Sequence, residues 1–219
     1  LCGSGERRRR DGRVRDAPEL PIWECLDCGL VYLGQAAQRS SDFYADSGMH
    51  GDTAPDARAW LREGERDDWR RAQFLAAKMI GRRVLDFGCG AGGFLAHARV
   101  GAASVTGIEP ERRLVGHFQS LGLEVVGGLD DLEPDRRFDL ITAFHVVEHL
   151  PDPRKTLREL SGRLVDGRSE LVVEVPAASD ALLTLYGSRA FAEFTYWSCH
   201  LYLFNAVTLR RVGEEAGLR

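Results

Sequence analysis

The stretch Val84-Leu85-Asp86-Phe87-Gly88-Cys89-Gly90-Ala91-Gly92-Gly93 decides the fold. Its first four residues read as a buried strand, and the glycines behind them read as a tight turn into a helix over 92–99. Glycine lets the backbone turn sharply and approach a ligand, and a helix N-terminus attracts an anionic group. Gly88, Gly90 and Gly93 satisfy the Gly-x-Gly-x-x-Gly spacing of dinucleotide-binding turns, which says little alone. Glu109 stands 21 residues beyond Gly88, at the end of the next strand, where an acid accepts hydrogen bonds from ribose hydroxyls. Together they point to a nucleoside-containing cofactor.

Strands and helices alternate outward from this stretch. A helix over 56–80 places Ala72, Leu75 and Met79 on one face and stops at Gly81. Strands are expected over 104–108, 124–126, 138–144 and 169–175, with helices over 111–120 and 153–164 and another starting near Asn205. This order implies the α/β class: a Rossmann-like, doubly wound, mostly parallel sheet covered on both faces. Residues 1–34 are arginine-rich, then β-like around Ile22-Trp23-Glu24 and Leu30-Val31-Tyr32. The expected organisation is a cysteine-knuckle segment 1–34, a loop and helical cap 35–80, a cofactor-binding core 81–178, and a lid with a C-terminal helix 179–219.

Composition removes several function classes. A chain of 219 residues with 44% hydrophobic and 28% charged side chains buries a full core, which excludes general disorder. No stretch approaches the roughly 18 apolar residues of a membrane helix. The Arg7-Arg8-Arg9-Arg10 run precedes no apolar segment, so it does not read as a signal peptide. A net charge of −4 argues against non-specific nucleic-acid binding. The expected setting is the cytoplasm and the expected partner a small-molecule acceptor, with no nucleic acid or membrane; oligomeric state is left open. The start at Leu1 and the end at Gly217-Leu218-Arg219 read as those of a fragment.

Asp86 discriminates between cofactors. A carboxylate at the strand tip repels a pyrophosphate dianion and suits a ligand with positive charge, such as the ammonium and sulfonium of S-adenosyl-L-methionine. Residues 84–92 resemble the first motif of class I S-adenosylmethionine-dependent methyltransferases. Phe138-Asp139-Leu140-Ile141 through His145-Val146-Val147-Glu148-His149-Leu150 resembles their fourth-strand motif, and Leu171-Val172-Val173-Glu174-Val175-Pro176 their fifth strand. The resemblance covers 57–217, and residues 1–34 are similar to the cysteine (zinc) knuckle preceding this domain in some members.

The resemblance implies a seven-stranded sheet, here truncated before its last two strands. It also implies that Asp86, Gly88 and Gly90 line the methionine end of the cofactor, with Phe87 and Cys89 in the same cofactor-binding stretch. Glu109 would hold the ribose, Pro110 would belong to the same cofactor site, and Gly128 and Leu129 would lie along adenine, although the acid common at position 128 is missing. Phe144 and His145 would lie beside the methyl donor, and Arg70 or Arg71 either reaches the cofactor carboxylate or belongs to a solvated helix face. Methyl transfer needs a base only when the acceptor loses a proton. His145 and His200 are the candidates, the latter in a lid where Tyr44, Phe191, Phe194, Tyr196 and Trp197 form either a pocket wall or a lid core. His149 is read as bonding to backbone. Some relatives bind a divalent ion through Glu-x-x-Glu-His; His145 replaces the first acid, so a metal-assisted O-methyltransferase using His145, Glu148 and His149 stays an alternative.

Cys25-x-x-Cys28-Gly29 has the geometry of a zinc knuckle, and Cys2 supplies a third thiolate of the four that a structural site takes. A zinc site, incomplete in this chain, is expected. Cys89 reads as a small filler and Cys199 as a buried side chain. The rival readings are a zinc-ribbon and Rossmann binding module without catalysis, and a dinucleotide-dependent oxidoreductase.

Overall fold

The alternation centred on residue 86 folds as a parallel sheet. A computed structural model describes residues 2–34 and 53–219. In chain order the elements are β1 Arg7–Arg9, β2 Ile22–Cys25, β3 Val31–Leu33, α1 Ala57–Met79, β4 Arg83–Phe87, α2 Gly93–Ala98, β5 Ser104–Ile108, α3 Val115–Leu121, β6 Glu124–Val126, β7 Leu140–Phe144, α4 Pro153–Ser161, β8 Glu170–Glu174, α5 Ala181–Thr184, α6 Arg189–Thr195, β9 Tyr202–Leu203 and α7 Ala206–Glu215. They fall into two units, one of residues 39–144 and 162–173, the other of residues 1–38, 145–161 and 174–219.

The first unit holds the five-stranded sheet, in the order β6-β5-β4-β7-β8. Strands β4 and β7, both mostly buried, lie side by side inside the sheet, as strands covered on both faces must. Register pairs Asp86 with Gly107 on one side and with Thr142 on the other. Asp56 starts α1 by accepting the amides of Arg58 and Ala59, and Gly81 at φ 66° ends it. The face expected from the sequence is the one buried: Ala72, Leu75 and Met79 pack with Val84, Phe94, Ala98 and Leu140. The helix expected over 111–120 is divided. The buried Glu111 accepts the Arg113 amide and tightens Arg112–Leu114 into a 3-10 turn before α3.

The second unit holds a four-stranded antiparallel sheet, β1-β2-β3-β9. Three strands come from residues 1–34 and the fourth from the segment 179–219, two pieces that the sequence reading kept apart. Neither β1 nor β9 was expected. Val14, Ile22, Val31, Leu33, Ala178, Tyr196 and Leu203 form the core, so the ribbon and the return strand bury one another's apolar side chains. Among the described residues, no helix is long and apolar enough to cross a membrane.

Candidate functional site

The glycine turn follows β4 directly, and positive φ is needed three times within five residues: 77° at Gly88, 53° at Gly90 and 82° at Gly92. Side chains rarely adopt this region, which explains the residue type. The amides of Gly88 and Cys89 donate to the Ile108 carbonyl at 2.8 and 3.0 Å, tying the turn to the end of β5. Glu109 continues the anchoring: its Oε2 accepts the Gly90 amide at 2.9 Å and its Oε1 the Glu111 amide at 3.0 Å. Two of roughly four carboxylate lone-pair positions are thereby used, leaving two to meet hydroxyls.

Asp86 is buried, and its Oδ1 accepts the Thr142 hydroxyl at 2.7 Å. Burial pushes the Asp86 carboxyl up to about 7, against that bond. Enclosure by protein, opposed by the amides of Glu111 and Gly90, pushes Glu109 up to about 7 as well. Both acids sit where their charge lacks full compensation, which a cationic ligand would supply.

Helix α1 contributes three side chains to this region. Trp60 lies with ring atoms 2.9 Å from where a Cβ on Gly90 would stand, and Asp68 occupies the place of a Cβ on Gly93. The sequence reading missed both residues. The available signal was an acid one helical turn before Arg71. Arg71, 12% exposed, lies 3.6 Å from Asp68 with its guanidinium 4.7 Å from the Phe144 ring centroid. Arg70, 53% exposed, pairs with Asp67 instead. Of the two arginines considered, Arg71 is the one turned toward the glycine turn. Phe144 stacks edge-on against Phe94 at 5.0 Å. Gly128 precedes a short 3-10 turn, Leu129–Asp131, that follows β6. Phe87 and Pro110 are partly exposed, whereas Cys89 is buried among Leu95, Leu114 and Phe118 as a filler.

The second unit carries a separate cluster. His145, immediately after β7, has φ 55°, the single non-glycine with positive φ among the described residues. Such backbone strain concentrates at functional positions. Its Nδ1 lies 3.3 Å from Glu148 Oε1 and its Nε2 3.4 Å from Glu174 Oε1. Glu148 is 0% exposed, and neither carboxylate oxygen has a hydrogen-bond partner among the described residues; the approach of His145 is an ion-pair distance only. One oxygen of Glu148 and one nitrogen each of His149 and His200 lie within 4.8 Å of one another. His149 Nδ1 meets the Cys199 carbonyl at 2.9 Å and His200 Nδ1 the Thr195 carbonyl at 2.7 Å. A carbonyl only accepts, so Nδ1 carries the proton in both rings and Nε2 the lone pair. The backbone bond expected of His149 is present. Burial pushes His149 down to about 4, against the pull of Glu148, and pushes His200 down likewise. Two neutral imidazoles beside a buried carboxylate are the donor set of a borderline divalent metal.

Of the lid aromatics, Tyr196 belongs to the core with Val14 and Ile22, whereas Trp197 and Phe194 lie against His200 at 5.4 and 6.3 Å. Phe191 contacts Phe194 at 6.2 Å. Tyr44 lies outside the described residues. Cys199 is buried, as expected.

The three cysteines do converge. Cys2 Sγ lies 3.4 Å from Cys25 Sγ, and all three Sγ atoms, including that of Cys28, fall within 4.8 Å. Gly29, at φ 72°, turns the knuckle, and the Asn205 side chain donates to the Cys28 carbonyl at 2.9 Å. The backbone amide of Cys28 lowers the Cys25 thiol, while burial raises that of Cys28.

Comparison with known proteins shows the family. Residues 58–219 match the methyltransferase domain family. The ubiquinone biosynthesis O-methyltransferase of Aeromonas salmonicida is 29% identical over 187 residues, 74% of this chain and 76% of that protein. The namesake from Xanthomonas axonopodis pv. citri is 37% identical over 110 residues, 44% of this chain and under half, 45%, of its own length. Among solved structures, magnesium protoporphyrin IX methyltransferase from Synechocystis, with bound S-adenosylhomocysteine, superposes with a TM-score of 0.56 at 18% identity, covering 81% of this chain and 87% of that one.

Proposed function

Because this chain belongs to the methyltransferase domain family, we propose that it moves the methyl group of S-adenosylmethionine onto a small-molecule acceptor. The observation that carries the reading is the pair of acids, Asp86 and Glu109, enclosed around a turn of positive-φ glycines. The residues fit that cofactor, because two uncompensated carboxylates and an inward arginine answer its ammonium, ribose and carboxylate. Asp86, Gly88 and Gly90 hold the methionine end, Arg71 the carboxylate, Glu109 the ribose hydroxyls, and Pro110, Gly128 and Leu129 the base. Phe87, Cys89 and Phe144 supply apolar walls. The cofactor brings a methyl group already activated on a cationic sulfur, so the protein's task is to bind and align. His145 and His200 are the groups that take a proton from the acceptor. Isothermal titration with S-adenosylmethionine, S-adenosylhomocysteine and NAD tests the reading. Heat with the first two alone is expected; no heat with either favours a binding module.

A second reading, metal-assisted transfer to a hydroxyl, is favoured by the fully buried Glu148 facing His149 and His200. Relatives named for O-methylation support a hydroxyl acceptor. Those three residues would hold a divalent ion, which polarises a bound hydroxyl. Chelation followed by add-back of magnesium, manganese or zinc, with metal content measured in wild type and Glu148→Gln, decides between base and metal. Cys2, Cys25 and Cys28 hold a structural zinc in the same proposal, checked by elemental analysis of the chain after mild thiol blocking.

A further inference from the structure

We propose that Asp16 is a positioning residue for His200, fastening the turn 195–200 to the N-terminal segment. The inference rests on the reading of His200 as a group that takes a proton from the acceptor. Both oxygens of Asp16 are committed to one residue 182 positions away: Oδ1 accepts the Ser198 amide at 2.9 Å and Oδ2 the Ser198 hydroxyl at 2.6 Å. Burial pulls the Asp16 carboxyl up, but the Ser198 bonds outweigh it and hold the group below its ordinary value. Two further contacts come from Arg15. Its amide donates to the Tyr196 carbonyl at 2.9 Å, and its guanidinium stands 4.4 Å over the Trp197 ring.

The turn fastened in this way is the one that orients the histidines. Thr195 accepts from His200 Nδ1 and Cys199 from His149 Nδ1, so carbonyls at the two ends of the turn 195–199 set both tautomers. Trp197 packs at 5.4 Å from His200 and 5.8 Å from His149, walling the two rings. Asp16 is itself exposed while Ser198 is buried, so the carboxylate reaches in from the surface to hold an interior turn. Loss of the clamp frees the 195–199 carbonyls to shift, and a small shift releases the Nδ1 proton that defines which nitrogen of His200 bears the lone pair.

The test uses the full chain labelled with 15N-histidine, which contains six histidines. Long-range proton–nitrogen spectra of wild type should show His200 as a single Nδ1–H tautomer. In Asp16→Ala, that signature should become a mixture of tautomers, and amide exchange at 198–200 should quicken roughly three- to tenfold, the size of a hydrogen bond of about 1 kcal/mol. Asp16→Asn keeps an acceptor for the Ser198 amide and should restore much of the wild-type spectrum. S-adenosylhomocysteine affinity should stay within about twofold in both variants. A wild-type His200 spectrum in Asp16→Ala overturns the inference. Absence of S-adenosylhomocysteine binding in wild type, with the spectral response intact, overturns the functional reading and leaves the clamp standing.

Discussion

Affinity for S-adenosylmethionine should strengthen steeply as pH rises from 6 to 8. Asp86 and Glu109 both stand near pH 7 in the ligand-free protein, chiefly because burial disfavours their charge. At pH 6 each is therefore roughly nine-tenths protonated, and a ligand that brings a cation to Asp86 and donating ribose hydroxyls to Glu109 must expel those protons. The penalty is about tenfold in Kd per group between pH 8 and pH 6, and approaches a hundredfold for the pair. S-adenosylhomocysteine keeps the ammonium but lacks the sulfonium charge, so its dependence should be shallower. The ligand-free protein should behave in the opposite sense. Folded-state values near 7 lie above the ordinary 3.8 and 4.5, so the folded chain keeps protons that the unfolded chain has lost across that window. Stability thus falls as pH rises through it, by up to about 4 kcal/mol for Asp86 alone. Titration calorimetry at pH 6 in two buffers of different ionisation enthalpy measures the protons released, which should approach two per cofactor bound. Asp86→Asn should remove about half of that release. Affinity that is flat from pH 6 to 8, with no proton release, would refute the assignment of these acids to a cationic ligand.

Three further outcomes are expected. Glu109→Ala should weaken S-adenosylmethionine and S-adenosylhomocysteine alike by roughly 10- to 150-fold, since both carry the ribose and a charge-assisted bond contributes about 1.5–3 kcal/mol; calorimetry reads this directly. Arg71→Ala should cost about tenfold in the same titration while Arg70→Ala costs nothing measurable, because only Arg71 is turned inward against Asp68 and Phe144. Replacing both Cys25 and Cys28 by serine should abolish zinc binding and lower the melting temperature, yet leave S-adenosylhomocysteine affinity within a few-fold; a large loss of affinity would show that the knuckle supports the cofactor residues.

The elements legible in advance were those governed by local pattern. A glycine turn with three positive-φ positions announces itself, because few other residues tolerate that backbone. The apolar face of α1, the strand β4 and the Cys-x-x-Cys knuckle are likewise short-range features, and Glu109 followed from a fixed spacing along one strand–helix–strand unit. The residues missed have a common cause: each acquires its role from a partner far away in the chain. The spacing of Asp68 to Arg71 is the one local hint at Asp68 and nothing local marks Trp60; their positions against Gly93 and Gly90 are set by how α1 packs. Arg70 and Arg71 are adjacent in sequence, and only the helix phase separates them by about 100° so that one faces inward. His149 read as a backbone-bonded turn residue, and that bond exists, but the approach of His200 to it and to the adjacent, unsatisfied Glu148 comes from a distant part of the chain. Strand β9 was unpredictable in the same way, since two residues become a strand only by pairing with β3. The sequence by itself thus determined the fold class, the glycine turn and the cysteine knuckle, all written in periodicity and spacing. Tertiary structure alone decided which arginine, which acid and which histidines converge, because side-chain neighbours separated by tens of residues are fixed by packing rather than by local propensity.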